Sequence, residues 1–104
     1  MKSINNQNEF NTLINQPNPI LLDFYADWCG PCQTLLPTID KLSQEFNERV
    51  EIRKVNVDEY KDLAAQFQIR SIPALFFIKD NQIVDKINGL APEETLRTKL
   101  NALL

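Results

Sequence analysis

Cys29 and Cys32 are the only two cysteines in the chain, and they stand three residues apart behind its only tryptophan, Trp28. Two thiols at that spacing can interconvert between dithiol and disulfide. Helix neighbours three apart have Cβ atoms roughly 5–6 Å apart, and a disulfide needs about 3.5–4.5 Å. A slight tightening of one helical turn closes the gap. Pro31 fixes φ in a first turn, where its missing N–H removes no bond, and Gly30 keeps bulk away from the sulfurs. As a staple the pair would be poor, because the loop it closes is tiny and cross-link stabilisation grows with loop length. As a metal site it is incomplete, since two ligands cannot close a four-ligand zinc site within one chain.

A helix start also tunes Cys29. A thiolate there meets the positive end of the helix dipole, worth about 0.3–1 kcal/mol. One pKa unit is about 1.36 kcal/mol, so the dipole alone gives under one unit. Hydrogen bonds from free backbone N–H groups or from the Cys32 thiol add roughly 1.5–3 kcal/mol. Cys29 is therefore the expected nucleophile, attacking a substrate disulfide as the thiolate and forming a mixed disulfide. Cys32, one turn further in, is expected to stay protonated and then to resolve that intermediate.

The resolving step needs a base, and the chain contains no histidine. Asp23 is the best candidate, because it interrupts an apolar strand that runs toward the cysteines, where burial would raise its pKa. The competing reading is a solvated, edge-facing carboxylate. Lys54, on the next strand, could pair with Asp23, or could be a surface lysine whose stem packs against the sheet. Trp28 reads as a partly exposed lid on the site rather than a core aromatic. Asp27 reads as a solvated loop charge.

The elements that must position these groups alternate. Phe10, Leu13 and Ile14 have helical spacing, and Pro17 and Pro19 end that helix. Residues 20–25 form an apolar run with one acid, a buried strand. Leu35, Leu36, Ile39, Leu42 and Phe46 follow the rhythm of a long one-faced helix with Pro37 inside it, so a kink is expected. Val50, Ile52, Val55 and Val57 make a second strand, and Tyr60, Leu63, Ala64 and Phe67 a short helix. Residues 74–78 and 82–87 make a hairpin around Asp80 and Asn81. Pro92, Glu93 and Glu94 open a last helix with Leu96, Leu100 and Leu103 facing inward. The reading is one α/β domain over residues 1–104, three layers deep, with a central mixed sheet flanked by helices. The cysteines fall just after a central strand, where sites of open α/β sheets collect.

The composition narrows the function. Of 104 residues, 43% are hydrophobic and 24% charged, with 14 acidic and 11 basic side chains and a net charge of -3. That balance argues against nucleic acid or an anionic membrane as the main partner. No apolar run is long enough to span a bilayer. Residues 1–8 lack the apolar core of a secretory signal, so export by that route is not expected.

The whole chain resembles thioredoxin, in order and without insertions. Residues Trp28, Cys29, Gly30, Pro31 and Cys32 match the family's active-site motif in full. Residues 22–26 resemble its preceding strand with the buried acid, Pro37 its helix proline, and residues 54–58 the next strand and its lysine. Residues 69–74 resemble the segment that carries its cis-proline, and Gly89 its groove glycine. A thiol near neutral pKa is already known for this motif, so the sum above is a check rather than a prediction. The resemblance implies that Asp23 is the buried acid, with Lys54 beside it. It also implies a cis bond before Pro73 and a shallow apolar docking surface of Trp28, Gly30, Pro31, Ile72, Pro73 and Gly89. The Ile72 backbone would pair there with an extended substrate segment.

As implied by the resemblance, the function is cytoplasmic reduction of protein disulfides. The dithiol is regenerated by thioredoxin reductase, an NADPH-dependent flavoprotein, and no cofactor or metal is needed on this chain. A monomer is expected, since the groove is the only apolar surface patch the sequence suggests. Several positions depart from the family pattern. Gln33 replaces a common lysine, Asn88 a valine-like residue, and Ser71 and Asn81 glycines. Asparagine tolerates a left-handed turn, so Asn81 need not harm the hairpin. Three other readings compete: a disulfide oxidant or isomerase, a glutaredoxin-like enzyme, and a binding subunit without turnover. Gly30 and Pro31 between the cysteines, and the absence of a signal sequence, disfavour the first. Features for binding a tripeptide thiol are not evident. A pure binder would survive loss of both sulfurs.

Overall fold

The computed structural model describes residues 1–104. In chain order the elements are β1 (Lys2–Ser3), α1 (Gln7–Asn15), β2 (Ile20–Tyr25), α2 (Gly30–Glu45), β3 (Glu51–Asn56), α3 (Lys61–Gln66), β4 (Ala74–Lys79), β5 (Gln82–Asn88) and α4 (Glu93–Ala102). The five strands form one sheet in the order β1-β3-β2-β4-β5. Strands β1, β3 and β2 run parallel, β4 runs antiparallel to β2, and β5 runs antiparallel to β4. The architecture is thus the expected α/β sandwich with a mixed sheet.

Period-2 alternation sends neighbouring residues of each strand to opposite faces. On one face Leu22, Phe24, Val55, Phe76 and Ile78 pack with Phe10 and Leu13 of α1 and Leu63 of α3. On the other, Leu21, Ile52, Leu75 and Phe77 pack with Leu35, Ile39 and Leu42 of α2 and Leu96 and Leu100 of α4. Both faces of the central strands are covered, which is why β2 and β4 read as continuous apolar runs. Arg97 of α4 ties the outer layer together by donating to both carboxylate oxygens of Glu45 on α2, at 2.7 and 2.8 Å.

Local chemistry explains the ends. Asn6 caps α1 by accepting the Glu9 N–H at 2.9 Å, the side-chain cap that asparagine supplies well. Asp80 and Asn81 both take positive φ, 52° and 64°, so Asn81 adopts the left-handed turn as expected. Helix α2 runs from Gly30 to Glu45 with Pro37 inside it. The ring nitrogen of Pro37 has no hydrogen for the Gln33 carbonyl one turn back.

Three expectations need correction. Strand β1 was not anticipated, because two residues carry no periodicity. Pro92 is the residue before α4, in extended conformation, rather than a member of its first turn. Ile83, Val84 and Leu104 are more than half exposed, so the groove is not the only place where apolar side chains meet solvent.

Candidate active site

Strand β2 delivers the site. It is buried along its whole length and ends at Tyr25; the chain turns through Ala26, Asp27 and Trp28, and α2 begins at Gly30. The Cys29 N–H donates to the Ala26 carbonyl at 3.2 Å, and the Gln33 N–H donates to the Cys29 carbonyl at 3.1 Å. Cys29 is therefore the cap of α2, in extended conformation with φ -89° and ψ 110°, rather than a residue of its first turn. Cys29 and Cys32 are joined as a disulfide with Cα atoms 5.2 Å apart. The Cys32 N–H points at the Cys29 Sγ from 3.2 Å. This is one of the unpaired amides that a helix start leaves free. Cys29 is 5% exposed and Cys32 1%, which agrees in order with an outer attacking sulfur and an inner resolving one.

Tyr25, Ala26 and the two cysteines form a small cluster covered by Val57 and Ile72. Asp23 lies two residues back along β2, roughly 7 Å from Tyr25, on the face covered by α2. It is 1% exposed, and neither carboxylate oxygen has a hydrogen-bond partner. Burial pushes its pKa up from 3.8 to about 7, against the opposing pull of the Lys54 charge. The solvated-carboxylate reading of Asp23 is thereby excluded.

Lys54 sits directly opposite Asp23 in the β2–β3 register. Of the two readings left open for Lys54, the ion pair with Asp23 is not formed. The Lys54 ammonium lies 5.5 Å from the centre of the Tyr25 ring, a cation–π distance. The lysine is near enough to lower the pKa of Asp23 but does not hydrogen-bond to its carboxylate.

Around the cysteines the remaining residues converge from distant segments. The Ile72–Pro73 peptide is cis, and the Ile72 carbonyl oxygen stands 3.8 Å from the Cys29 Sγ. The Pro73 carbonyl accepts the Gly89 N–H at 2.8 Å, which brings the end of β5 to the same place. Gly89 has φ 87°, a conformation that favours glycine. Trp28, Gly30 and Pro31 are exposed, Ile72 and Gly89 are half-buried, and Pro73 is buried.

Four residues were missed as site components. Trp28 is 72% exposed, yet its indole N–H donates to Asp58 at 2.8 Å. Asp58 is itself held by Asn56, whose buried side-chain oxygen accepts the N–H groups of Asp58 and Glu59 at 2.9 and 3.3 Å. Val57 lies between them and packs on the cysteines. The Asn-x-Asp order at a strand end is a turn signal, and it could have suggested this bend. Leu90, just after Gly89, is 56% exposed and extends the apolar surface. Gln33, expected on the rim, donates from its side-chain amide to the Ala26 carbonyl at 3.3 Å. No group of three or more His, Cys, Asp or Glu side chains is placed to hold a metal ion.

Comparison with known proteins agrees with this geometry. A family model described as thioredoxin matches residues 1–102. Thioredoxin 1 of Synechococcus elongatus is 45% identical over 83 residues, which are 80% of this chain and 78% of that protein. Thioredoxin of Haemophilus influenzae is 43% identical over 98 residues, 94% of this chain and 92% of that one. The X-ray structure of Fasciola hepatica thioredoxin superposes with a TM-score of 0.90 at 34% identity, covering 100% of both chains.

Proposed function

The chain belongs to the thioredoxin family and is a thiol–disulfide oxidoreductase that reduces protein disulfides through Cys29 and Cys32; we propose the following division of labour among its residues. The Cys29 thiolate, held by the Cys32 N–H at the head of α2, attacks one sulfur of a substrate disulfide. That S–S bond breaks, a Cys29–substrate disulfide forms, and the departing thiolate takes a proton from water. Cys32 then loses its proton to Asp23, directly or through one water, and attacks the Cys29 sulfur. The mixed disulfide breaks, the second substrate sulfur leaves as a thiolate and takes up the proton that Asp23 gives back, directly or through water, and Cys29 and Cys32 are joined as the disulfide. The substrate has gained two electrons from the dithiol and two protons, one from water and one that began on Cys32. Thioredoxin reductase returns the electrons, drawing them from NADPH through its flavin.

The observation that carries the base assignment is Asp23 itself, a fully buried carboxyl with no partner on either oxygen. Its raised pKa leaves it about half ionised near neutral pH, where a general base works best. Lys54 acts in the same reading by holding that pKa down from an even higher value. Trp28, Gly30, Pro31, Ile72 and Gly89 take the substrate, with the cis-Pro73 loop offering the Ile72 backbone as an edge for one extended strand. Neither the Ile72 N–H nor its carbonyl is engaged by another backbone group. The proposed unit is a monomer with one domain over residues 1–104. The proposed compartment is the cytoplasm, where reducing conditions maintain the dithiol. No helix is long and apolar enough to cross a membrane.

Stopped-flow kinetics test the assignment. Asp23→Asn should slow release of substrate from the mixed disulfide far more than it slows the first attack. Equal effects on both steps would remove Asp23 from the role of base.

A further inference from the structure

Between the end of α3 and strand β5 lies a trough of about 590 Å³. Its apolar part is formed by Phe67, Phe76 and Ile83, and its charged part by Arg70 and Lys86; no acidic residue lines it. Ile83 is 54% exposed. The Lys86 ammonium lies 5.2 Å from the centre of the Phe76 ring. Neither Arg70 nor Lys86 forms an ion pair; of the 11 basic side chains only Lys41, Arg53, Arg97 and Lys99 do. Two unpaired cations thus flank apolar surface on a chain whose net charge is -3.

The fold builds this trough on purpose-shaped edges. Gln68 takes φ 54° and stops α3, so Ile69 turns toward the core while Arg70 stays exposed. Strand β5 is the last in the sheet order, so its outer backbone groups are free to pair with an extended chain. Both borders lead to the sulfurs. Arg70 precedes Ile72 by two residues, at most about 7 Å of chain, and the Ile72 carbonyl is 3.8 Å from the Cys29 sulfur. Strand β5 ends one residue before Gly89, which is bonded to Pro73.

We propose that this trough is a second docking site for protein substrates, taking an extended acidic segment with an apolar anchor that flanks the disulfide being reduced. The acidic side chains pair with Arg70 and Lys86, and the anchor rests on Ile83 and the half-buried Phe67. The proposal rests on the reductase reading for its purpose, but the binding itself does not depend on redox chemistry.

Two disulfide peptides of equal length test it, one with a six-residue tail of alternating Glu and Leu, the other with Gln in place of Glu. Such a tail reaches about 20 Å when extended. The acidic tail should raise kcat/KM roughly three- to tenfold through KM, the scale of two exposed ion pairs, and added salt should erode the gain. Arg70→Glu with Lys86→Glu should reverse the preference, and Arg70→Gln with Lys86→Gln should abolish it. Reduction of a small aromatic disulfide should stay unchanged in both variants. Equal kcat/KM for the two tails, or a preference that survives charge reversal, overturns the proposal. Fluorescence anisotropy of the acidic tail alone, without a disulfide, reads the trough separately. If no disulfide is turned over but the tail still binds and loses binding on charge reversal, the reductase reading fails and the docking site stands.

Discussion

Asp23→Asn should stabilise the oxidised protein at alkaline pH and leave it nearly unchanged at acid pH. The folded protein holds this carboxyl at a pKa of about 7, against 3.8 when it is exposed. The shift is about 3 units, and each is worth about 1.36 kcal/mol, so about 4 kcal/mol is at stake. The sign follows from proton counts. Between the two pKa values the folded state keeps a proton that the unfolded state has released, so stability falls as pH rises through that window. Below about pH 4 both states are protonated, and wild type and variant carry a neutral buried group alike. Above about pH 7 only wild type holds a buried charge. Guanidinium unfolding at a series of pH values should therefore show the two curves together at low pH and about 4 kcal/mol apart at pH 8, with the variant the more stable. With a guanidinium m-value of about 3 kcal/mol/M, the midpoints separate by over 1 M. A difference that does not change with pH would refute the claim that burial of an ionisable Asp23 sets its pKa.

Cys32→Ser should accumulate a covalent Cys29–substrate adduct visible by mass spectrometry, and Cys29→Ser should give none; adducts on both would contradict the assigned order of attack. Asp58→Ala frees the Trp28 indole and should raise KM for a protein disulfide roughly two- to tenfold, the scale of one net hydrogen bond. Asp58→Asn keeps an accepting oxygen and should recover most of the loss; an unchanged KM in the alanine variant removes Asp58 from the site. At Gly89 an added Cβ would meet nothing within 4 Å, but φ is 87°. Gly89→Ala should therefore cost about 1–2 kcal/mol from backbone strain alone, measured by urea unfolding, and a loss within about 0.5 kcal/mol, ordinary for a surface change, would contradict that.

The parts of this fold that were legible in sequence are those whose side chains repeat. Strand β2 is bounded by prolines and tyrosine, and α2 repeats its apolar residues every three or four positions, so both were found where they are. Strand β1 was invisible because Lys2 and Ser3 pair through backbone alone with Arg53 and Lys54. The contact between Trp28 and Asp58 joins residues thirty apart, and no local spacing encodes it. Cys29 as a cap rather than a helical residue is a one-residue boundary, below what periodicity resolves. The register that sets Lys54 opposite Asp23 was readable in outline. What the lysine does there was not, because the Tyr25 ring competes for its ammonium in three dimensions.

That competition bears on why a destabilising carboxylate can persist in the core. A chain without histidine has few groups able to take a proton near neutral pH, and a buried aspartate is one of them. Had Lys54 closed a full ion pair, Coulomb attraction would have favoured the charged form and lowered the pKa, leaving a stable but weakly basic carboxylate. With the ammonium against Tyr25, burial dominates instead. The penalty of about 4 kcal/mol at alkaline pH is a large share of the roughly 5–15 kcal/mol that holds a domain together. Two well-filled cores, one on each side of the sheet, supply the stability that lets the site carry it. Weakening either core should then harm the protein more at pH 8 than at pH 5. Removing the carboxyl should relieve the fold while slowing release of the bound substrate.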